Sequence, residues 1–311
     1  MLNRRDWILS AAHAVVGSTL LDASPLARRE GPPAAAATSR DFCLFSKHLP
    51  ELGWADVGRA VKDAGFEGVD LTVRAKGHVL PERAADDLPR AIDAIASQGV
   101  TVPMITTDLT SAAVPYARPL LQAAARQGVR FFKTGYWRYS SSPDVRGQVA
   151  AAGEAMAGLA ALARECGIEM GFHNHAAYIG AALWDIAPAM DKLDPRWAGY
   201  YFDPRHAVAE GGGGAWKAAA HLVMPRLKML AVKDCVWHKG EKGWTIENCP
   251  LGEGLVDWAW IASALRTAAF GGPISIHLEY DIPASTPQEQ TRRTLEAAVR
   301  DLTFARRALQ L

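Results

Sequence analysis

The sequence lacks the features that mark several large classes of protein. No apolar stretch reaches about 18 residues, so no membrane-spanning helix is expected. The net charge is +1 and no long basic run occurs, which argues against nucleic acid as a partner. No GxGxxG motif follows an apolar run, although a doubly wound sheet that binds dinucleotides usually carries one there. The 311 residues, 49% of them hydrophobic, are enough to form one large core.

Cysteine is also scarce, with only Cys43, Cys166, Cys235 and Cys249 in the chain. None of them is spaced as CxxC, so a structural zinc site is not expected. Cys235 and Cys249 fall in one predicted loop region. They could form a disulfide in an oxidising compartment or remain free buried thiols, and the sequence leaves both open.

Residues 1–38 have the order of an export signal, with paired arginines, then a mildly apolar Ala-rich run, then small residues. The stretch "NRRDWIL", with Arg4 and Arg5, resembles the twin-arginine motif. An unstructured Ala-rich N-terminus is the alternative. We predict a twin-arginine-type signal peptide and linker over 1–38, a periplasmic or secreted protein, and a folded domain over 39–311.

From Asp41 onward, short apolar runs alternate with Ala/Leu-rich helical stretches, and this happens eight times. The strands are apolar on nearly every residue, as in a parallel sheet buried on both faces. Eight such units in about 270 residues predict a single-domain (β/α)8 TIM barrel. A doubly wound sheet is the competing fold. The glycine run at 211–214 is read as a flexible loop. The predicted strands are 41–46, 66–73, 100–107, 129–135, 168–175, 197–203, 227–234 and 274–280.

Polar side chains stand at the C-terminal ends of these strands, where barrels of this type carry their active sites. Side chains two residues apart on a strand share a face, so His173 lies beside His175. The apolar Leu278 suits the helix side, so His277 and Glu279 should point into the barrel mouth. The strand-end residues are Lys133, His173, His175, Asp203, His206, Lys233, Asp234, His277 and Glu279.

Converging imidazoles and carboxylates could hold a divalent cation, and manganese, cobalt, zinc or iron suits these donors better than calcium. Each residue alone could instead be a hydrogen-bonded structural group. Lys133 and Lys233 are costly at inward positions unless they bind substrate or pair with Asp203 or Glu279. Both readings of the two lysines stay open.

The segments "FHNH", "YYFDPRHA", "LKMLAVKD" with "PLGEGLVDW", and "GPISIHLEY" together resemble the sugar phosphate isomerase/epimerase superfamily of xylose isomerase-like TIM barrels. The resemblance covers about 41–308. It implies a divalent metal held by Glu, Asp, His and Glu from strands five to eight, and two Glu residues that move a proton through an enediolate. The Asp matches Asp203, the substrate-contacting His matches His206, and the last Glu matches Glu279 or is replaced by His277.

Two positions depart from the pattern that the resemblance implies. His173 stands where the first Glu is expected, and Ala231 stands where the strand-seven His is expected. Either the metal is held by His173 or His175 with Asp203, His277 and Glu279, or it is lost.

These observations predict an enzyme of isomerase/epimerase type that acts on a small-molecule carbohydrate by proton abstraction next to a carbonyl. The metal, or Lys233 and Lys133, would stabilise the enediolate. Glu279 or a histidine would be the base, and His206 would contact substrate. The alternatives are β-elimination from a 3-keto glycoside and a catalytically inactive sugar-binding module. A homo-oligomer is compatible with the sequence. Aromatic residues after strands four and seven could form a sugar platform; they are Trp137, Tyr139 and Trp237.

Overall fold

Eight parallel strands close into a barrel, with the strand order β1-β10-β7-β6-β5-β4-β3-β2. The computed structural model describes residues 41–241 and 243–310. Its strands are β1 (Phe42–Phe45), β2 (Gly68–Val73), β3 (Thr101–Thr107), β4 (Phe131–Lys133), β5 (Glu169–His173), β6 (Ala198–Phe202), β7 (Leu227–Val232), β8 (Asp234–Gly240), β9 (Gly243–Cys249) and β10 (Ile274–Ile276). The prediction of a single-domain (β/α)8 barrel is confirmed.

Helices follow the barrel strands and pack around them. They are α1 (Trp54–Asp63), α2 (Ala84–Ala96), α3 (Ala117–Arg126), α4 (Val145–Cys166), α5 (Ala187–Met190), α6 (Pro204–Val223), α7 (Trp258–Thr267) and α8 (Pro287–Leu309). No helix in 41–241 or 243–310 is long and apolar enough to cross a membrane. The predicted signal segment lies outside the described residues.

The apolar residues form two separate clusters because each barrel strand has an inner and an outer face. The large cluster lies between the sheet and the helices and includes Leu278, as the alternation predicted. A small cluster fills the barrel interior and consists of Met104, Phe131, Tyr201, Met229 and Ala231. Polar side chains occupy the space above this inner cluster, so the C-terminal mouth is the polar end of the barrel.

Two predicted elements differ from the structure. The glycine run at 211–214 is not a loop but part of α6, which kinks at Gly212 with φ 55° and ψ −156°. Helix formers on both sides of the run extend the helix to it, and glycine tolerates the non-helical residue. The helix predicted over 183–191 shortens to α5 because Pro188 fits only the first turn of a helix.

The region after β7 also differs, since β8 and β9 form an antiparallel hairpin where a loop was expected. Asp234 lies at its base and accepts hydrogen bonds from the Val256 N–H at 3.1 Å and the Trp258 indole at 2.8 Å. Its carboxylate therefore fixes the start of the hairpin and the following loop. Cys235 and Cys249 are free thiols, so the disulfide alternative is not realised.

Candidate active site

A cavity of about 190 Å³ lies at the C-terminal mouth of the barrel. Most of the residues predicted from strand ends line it. They are Lys133, His173, His175, Lys233, His277 and Glu279. Asp203 is fully buried directly behind this wall, because its carboxylate contacts both Lys233 and His173. The expected convergence of strand ends is therefore present.

Lys233 joins the two carboxylates of the site. Its Nζ lies 3.0 Å from Asp203 Oδ2 and 2.9 Å from Glu279 Oε2. Burial alone would lower the pKa of Lys233, but these two carboxylates outweigh burial and raise the pKa. Lys233 therefore forms the ion pairs that the sequence analysis gave as one alternative. Its ammonium is a fixed positive charge in the cavity wall.

Glu279 lies between two lysines. Lys47, which follows β1, places its Nζ 2.7 Å from Glu279 Oε1, while Lys233 holds the other oxygen. Burial would raise the pKa of Glu279, but the neighbouring cations lower it strongly. A carboxylate held in this way is a weak base, which speaks against Glu279 as the group that removes a substrate proton.

His173 is held at both ring nitrogens. Its Nε2 lies 3.1 Å from Asp203 Oδ2, and its Nδ1 lies 2.9 Å from the Tyr136 hydroxyl. A carboxylate only accepts, so Nε2 carries the hydrogen and Nδ1 accepts from Tyr136. Burial lowers the pKa of His173 to about 3, so the ring is neutral. Asn174, on the opposite face, fixes the Asp203 backbone with bonds of 2.8 and 3.0 Å.

His175 is a half-buried imidazole that lines the cavity. Its Nδ1 lies 3.0 Å from the Ala176 carbonyl, and a carbonyl only accepts, so Nδ1 carries the hydrogen. The lone pair is then on Nε2, for which the described residues offer no hydrogen-bond partner. Burial lowers its pKa, which keeps the ring neutral near pH 7. His175 is therefore placed to accept a proton.

His206 lies behind His175 rather than on the cavity. The two ring centroids are 3.9 Å apart, and His206 is 3% exposed. Its Nδ1 accepts from the Ala176 N–H and from Arg205. Its backbone N–H donates to Asp203 Oδ1, which caps the start of α6. The resemblance implies a direct substrate contact by His206. His206 is buried beside His175 in the structure, and the contact stays a prediction.

Lys133 has a different environment from Lys233. It is 2% exposed, and its Nζ lies 3.5 Å from the centroid of the Tyr136 ring. No hydrogen-bond acceptor or carboxylate partner is found for it among the described residues. Burial, and then the charge of Arg74, lowers its pKa well below the ordinary value. Among the described residues, Lys233 therefore pairs with carboxylates and Lys133 does not.

His277 belongs to a chain of buried polar groups that runs down into the barrel. Its Nε2 lies 3.0 Å from the Tyr201 hydroxyl, which donates to Asp70 at 3.2 Å. The ring stacks on Phe45 with 4.4 Å between centroids. Its Nδ1 has no hydrogen-bond partner within the described part of the chain. The His277 ring is thus fixed in orientation by Phe45 and Tyr201.

Sequence reasoning missed Lys47, Arg74, Tyr136 and Tyr201, which also line the cavity. Arg74 directly follows β2 and Lys47 follows β1 closely, so the strand-end rule could have found both. The predicted aromatic platform does not line the cavity. Trp137 stacks on Phe172 instead, with 6.0 Å between ring centroids.

Comparison with known proteins identifies the family of the chain. Residues 58–301 match the model of the family described as xylose isomerase-like TIM barrels. The chain belongs to this family. A comparison with curated proteins found no match.

Solved structures similar to this member of the xylose isomerase-like family include D-psicose 3-epimerase with D-tagatose from Clostridium cellulolyticum H10. That structure is 13% identical with a TM-score of 0.66, and the match covers 86% of this chain and 99% of that one. The probable 3-DHS dehydratase AsbF from Bacillus anthracis is 12% identical with a TM-score of 0.62, covering 82% and 97%. The IOLI protein with a bound zinc atom is 12% identical with a TM-score of 0.67, covering 87% and 98%. At these identities the likeness supports the fold.

The predicted metal ligands do not form a metal site in this family member. Within 41–241 and 243–310, no three His, Cys, Asp or Glu side chains are grouped so that they could hold a metal ion. The Asp203 and Glu279 carboxylates are bridged by Lys233, whose ammonium lies between them. Ala231, on the inner face of β7, offers no donor atom. A second cation beside Lys233 would meet strong repulsion in this buried place, so the residues present do not fit a divalent metal.

Proposed function

We propose that the protein is an enzyme of sugar isomerase/epimerase type that removes a proton next to the carbonyl of a small carbohydrate. The observation that carries this proposal is the pairing, on one cavity, of a fixed ammonium at Lys233 with a neutral imidazole at His175. Removal of such a proton leaves negative charge on the carbonyl oxygen, and the site offers both a base and a positive charge for that oxygen.

Lys233 supplies the positive charge. Its pKa is raised by the two carboxylates beside it, so it stays protonated through the reaction. Asp203 and Glu279 hold the ammonium in one position, so it does not need to reorganise when the enediolate forms. We assign Asp203 and Glu279 the role of positioning Lys233 rather than that of ligands to a metal.

His175 supplies the base through its free Nε2. Transfer of the abstracted proton to the neighbouring carbon, with a proton shift between the two oxygens, gives isomerisation. Retention of that proton on the base and delivery of another proton to the opposite face by a second group gives epimerisation. Loss of a substituent from the β-carbon gives elimination instead. All three outcomes share the first step, and similarity to an epimerase and a probable dehydratase is consistent with either course.

Product analysis separates these outcomes. Full-length protein is incubated in D2O with ketoses, aldoses, sugar acids and 3-keto glycosides, and the products are followed by NMR and mass spectrometry. Deuterium at the carbon next to the carbonyl supports the proposal. Products of unchanged composition indicate isomerisation or epimerisation, while a released aglycone or water indicates elimination. Tight binding of a sugar without exchange or turnover would identify a binding module instead.

A further inference from the structure

Within the described part of the chain, the basic side chains that line the cavity have carboxylate partners on one side of it but not on the other. On the side of β7, β10 and β1, Lys233 and Lys47 are paired with carboxylates. On the side of β2 and β4, Arg74 and Lys133 have no carboxylate within ion-pair distance among the described residues. Both line the same cavity. The basic side chains without a carboxylate partner therefore lie on one wall of the cavity.

Lys133 is buried, and no carboxylate among the described residues compensates for its burial. Its side chain is buried, and burial of an unpaired ammonium is unfavourable. The nearest acidic groups do not compensate for it. Asp70 lies deeper in the barrel and accepts from Thr106 and Ser275 hydroxyls at 2.8 Å each, and Asp108 is exposed. A buried lysine without a protein partner can be matched by a charge that arrives with a ligand.

Arg74 adds a second donor of a different shape. Its guanidinium carbon lies 5.7 Å from the centroid of the Phe45 ring, and no carboxylate or carbonyl holds it among the described residues. A planar guanidinium binds carboxylate or phosphate with two parallel hydrogen bonds, and a nearby ammonium adds a point charge. Together the two groups have the chemistry of an anion site.

We propose that Arg74 and Lys133 form a subsite for the anionic group of an acidic sugar derivative. The anion is a carboxylate or a phosphate, since both have the oxygens that these donors bind. The cavity of about 190 Å³ is smaller than the roughly 300–1,000 Å³ of sites for drug-sized ligands, which fits a monosaccharide acid or a small phosphorylated sugar. The inference that the rest of the ligand is a sugar depends on the function proposed above.

Binding to matched pairs of probes tests the subsite without any need for turnover. Calorimetry on the full-length protein compares D-gluconate with D-glucitol, and D-fructose 6-phosphate with D-fructose. We expect at least one acid to bind about tenfold or more tightly than its neutral partner, the size of one charge-assisted hydrogen bond. A preference within the first pair identifies a carboxylate, and one within the second pair identifies a phosphate.

The variants R74Q and K133M should each reduce this preference about tenfold, while R126Q should not. Arg126 is an exposed residue of α3 and makes the same change in net charge away from the mouth. K133M removes a buried amine that has no partner among the described residues and should therefore fold, and thermal unfolding checks this. Equal binding of acid and neutral probes, no binding of either acid, or an unchanged preference in both variants would overturn the subsite. Acid binding without turnover of any sugar would instead keep the subsite and remove the proposed function.

Discussion

Lys233 Nζ lies 3.0 Å from Asp203 Oδ2 at the ends of two adjacent barrel strands, β7 and β6. Family resemblance predicted a metal ion near this carboxylate, and the chain supplies an ammonium there instead. The same ammonium contacts Glu279, so one lysine serves two acidic groups.

Removal of the Asp203 charge should destabilise the fold, since it leaves Lys233 with Glu279 alone. We expect D203N to lower the free energy of unfolding by about 3–5 kcal/mol at pH 7, as for other broken buried pairs. Urea unfolding measures this. E165Q is the matched control, because it breaks the exposed Arg118–Glu165 pair and should cost about 0–1 kcal/mol.

The cost of D203N should also depend on pH. The folded pKa of Asp203 lies below its ordinary value of 3.8, so its contribution is complete well above 3.8 and is lost as the pH falls towards the folded pKa. At 1.36 kcal/mol per pH unit, the cost should shrink by about 1 kcal/mol between pH 7 and pH 3. An equal cost at both values would contradict the assigned shift.

His175 is expected to carry the proton. H175Q keeps a polar side chain but has no imidazole lone pair, so kcat should fall by about 10²–10⁴-fold with an unchanged fold. Steady-state kinetics on the sugar identified by product analysis, with circular dichroism, measure both quantities. H221Q changes an exposed histidine of α6 and should leave kcat unchanged. A full-rate H175Q enzyme would move the role of base to another group.

Replacement of the ammonium by a histidine on β7 should create affinity for metal. The double variant A231H/K233Q frees Asp203 and Glu279 from Lys233 and adds an imidazole at the inner position of the strand. We expect it to bind one Mn²⁺ or Zn²⁺ by calorimetry, whereas the parent and A231H alone bind none at this place. Stoichiometric metal in the purified parent would show that Lys233 does not exclude it.

Export remains a prediction that rests on residues 1–38. Replacement of Arg4 and Arg5 by lysine should hold the protein in the cytoplasm of a bacterial host with a twin-arginine pathway. Cell fractionation and N-terminal sequencing would show retention in the variant, and cleavage between Ala27 and Ala37 in the parent. Equal periplasmic amounts of both would contradict this interpretation of the paired arginines.

The barrel could be predicted from sequence because its signals are local. Continuous apolar runs occur eight times, and a glycine follows several of the helices between them. Each of these signals can be recognised without knowledge of the others. The hairpin β8–β9 was missed because its strands are largely exposed and carry Gly, Lys and Glu rather than an apolar run. The glycines in α6 were misread because neighbouring helix formers determine their conformation.

The site was predictable in position but not in chemistry. Strand ends placed Asp203, Lys233 and Glu279 together, as the structure has them. Which lysine is paired depends on acceptors from neighbouring strands, so nothing local separates Lys133 from Lys233. Whether the site can bind a metal ion likewise depends on a three-dimensional contact, the placement of one ammonium between two carboxylates.

Exchange of the substrate proton with solvent directly tests whether Lys233, rather than a metal ion, stabilises the enediolate. The rate of deuterium incorporation next to the carbonyl is measured in D2O by NMR, for chelator-treated wild type and for K233M. We expect exchange at the full rate in chelator-treated wild type and a loss of about 10²-fold or more in K233M, as for other removed oxyanion donors. Exchange that requires an added divalent metal, or that survives unchanged in K233M, would contradict this role of Lys233.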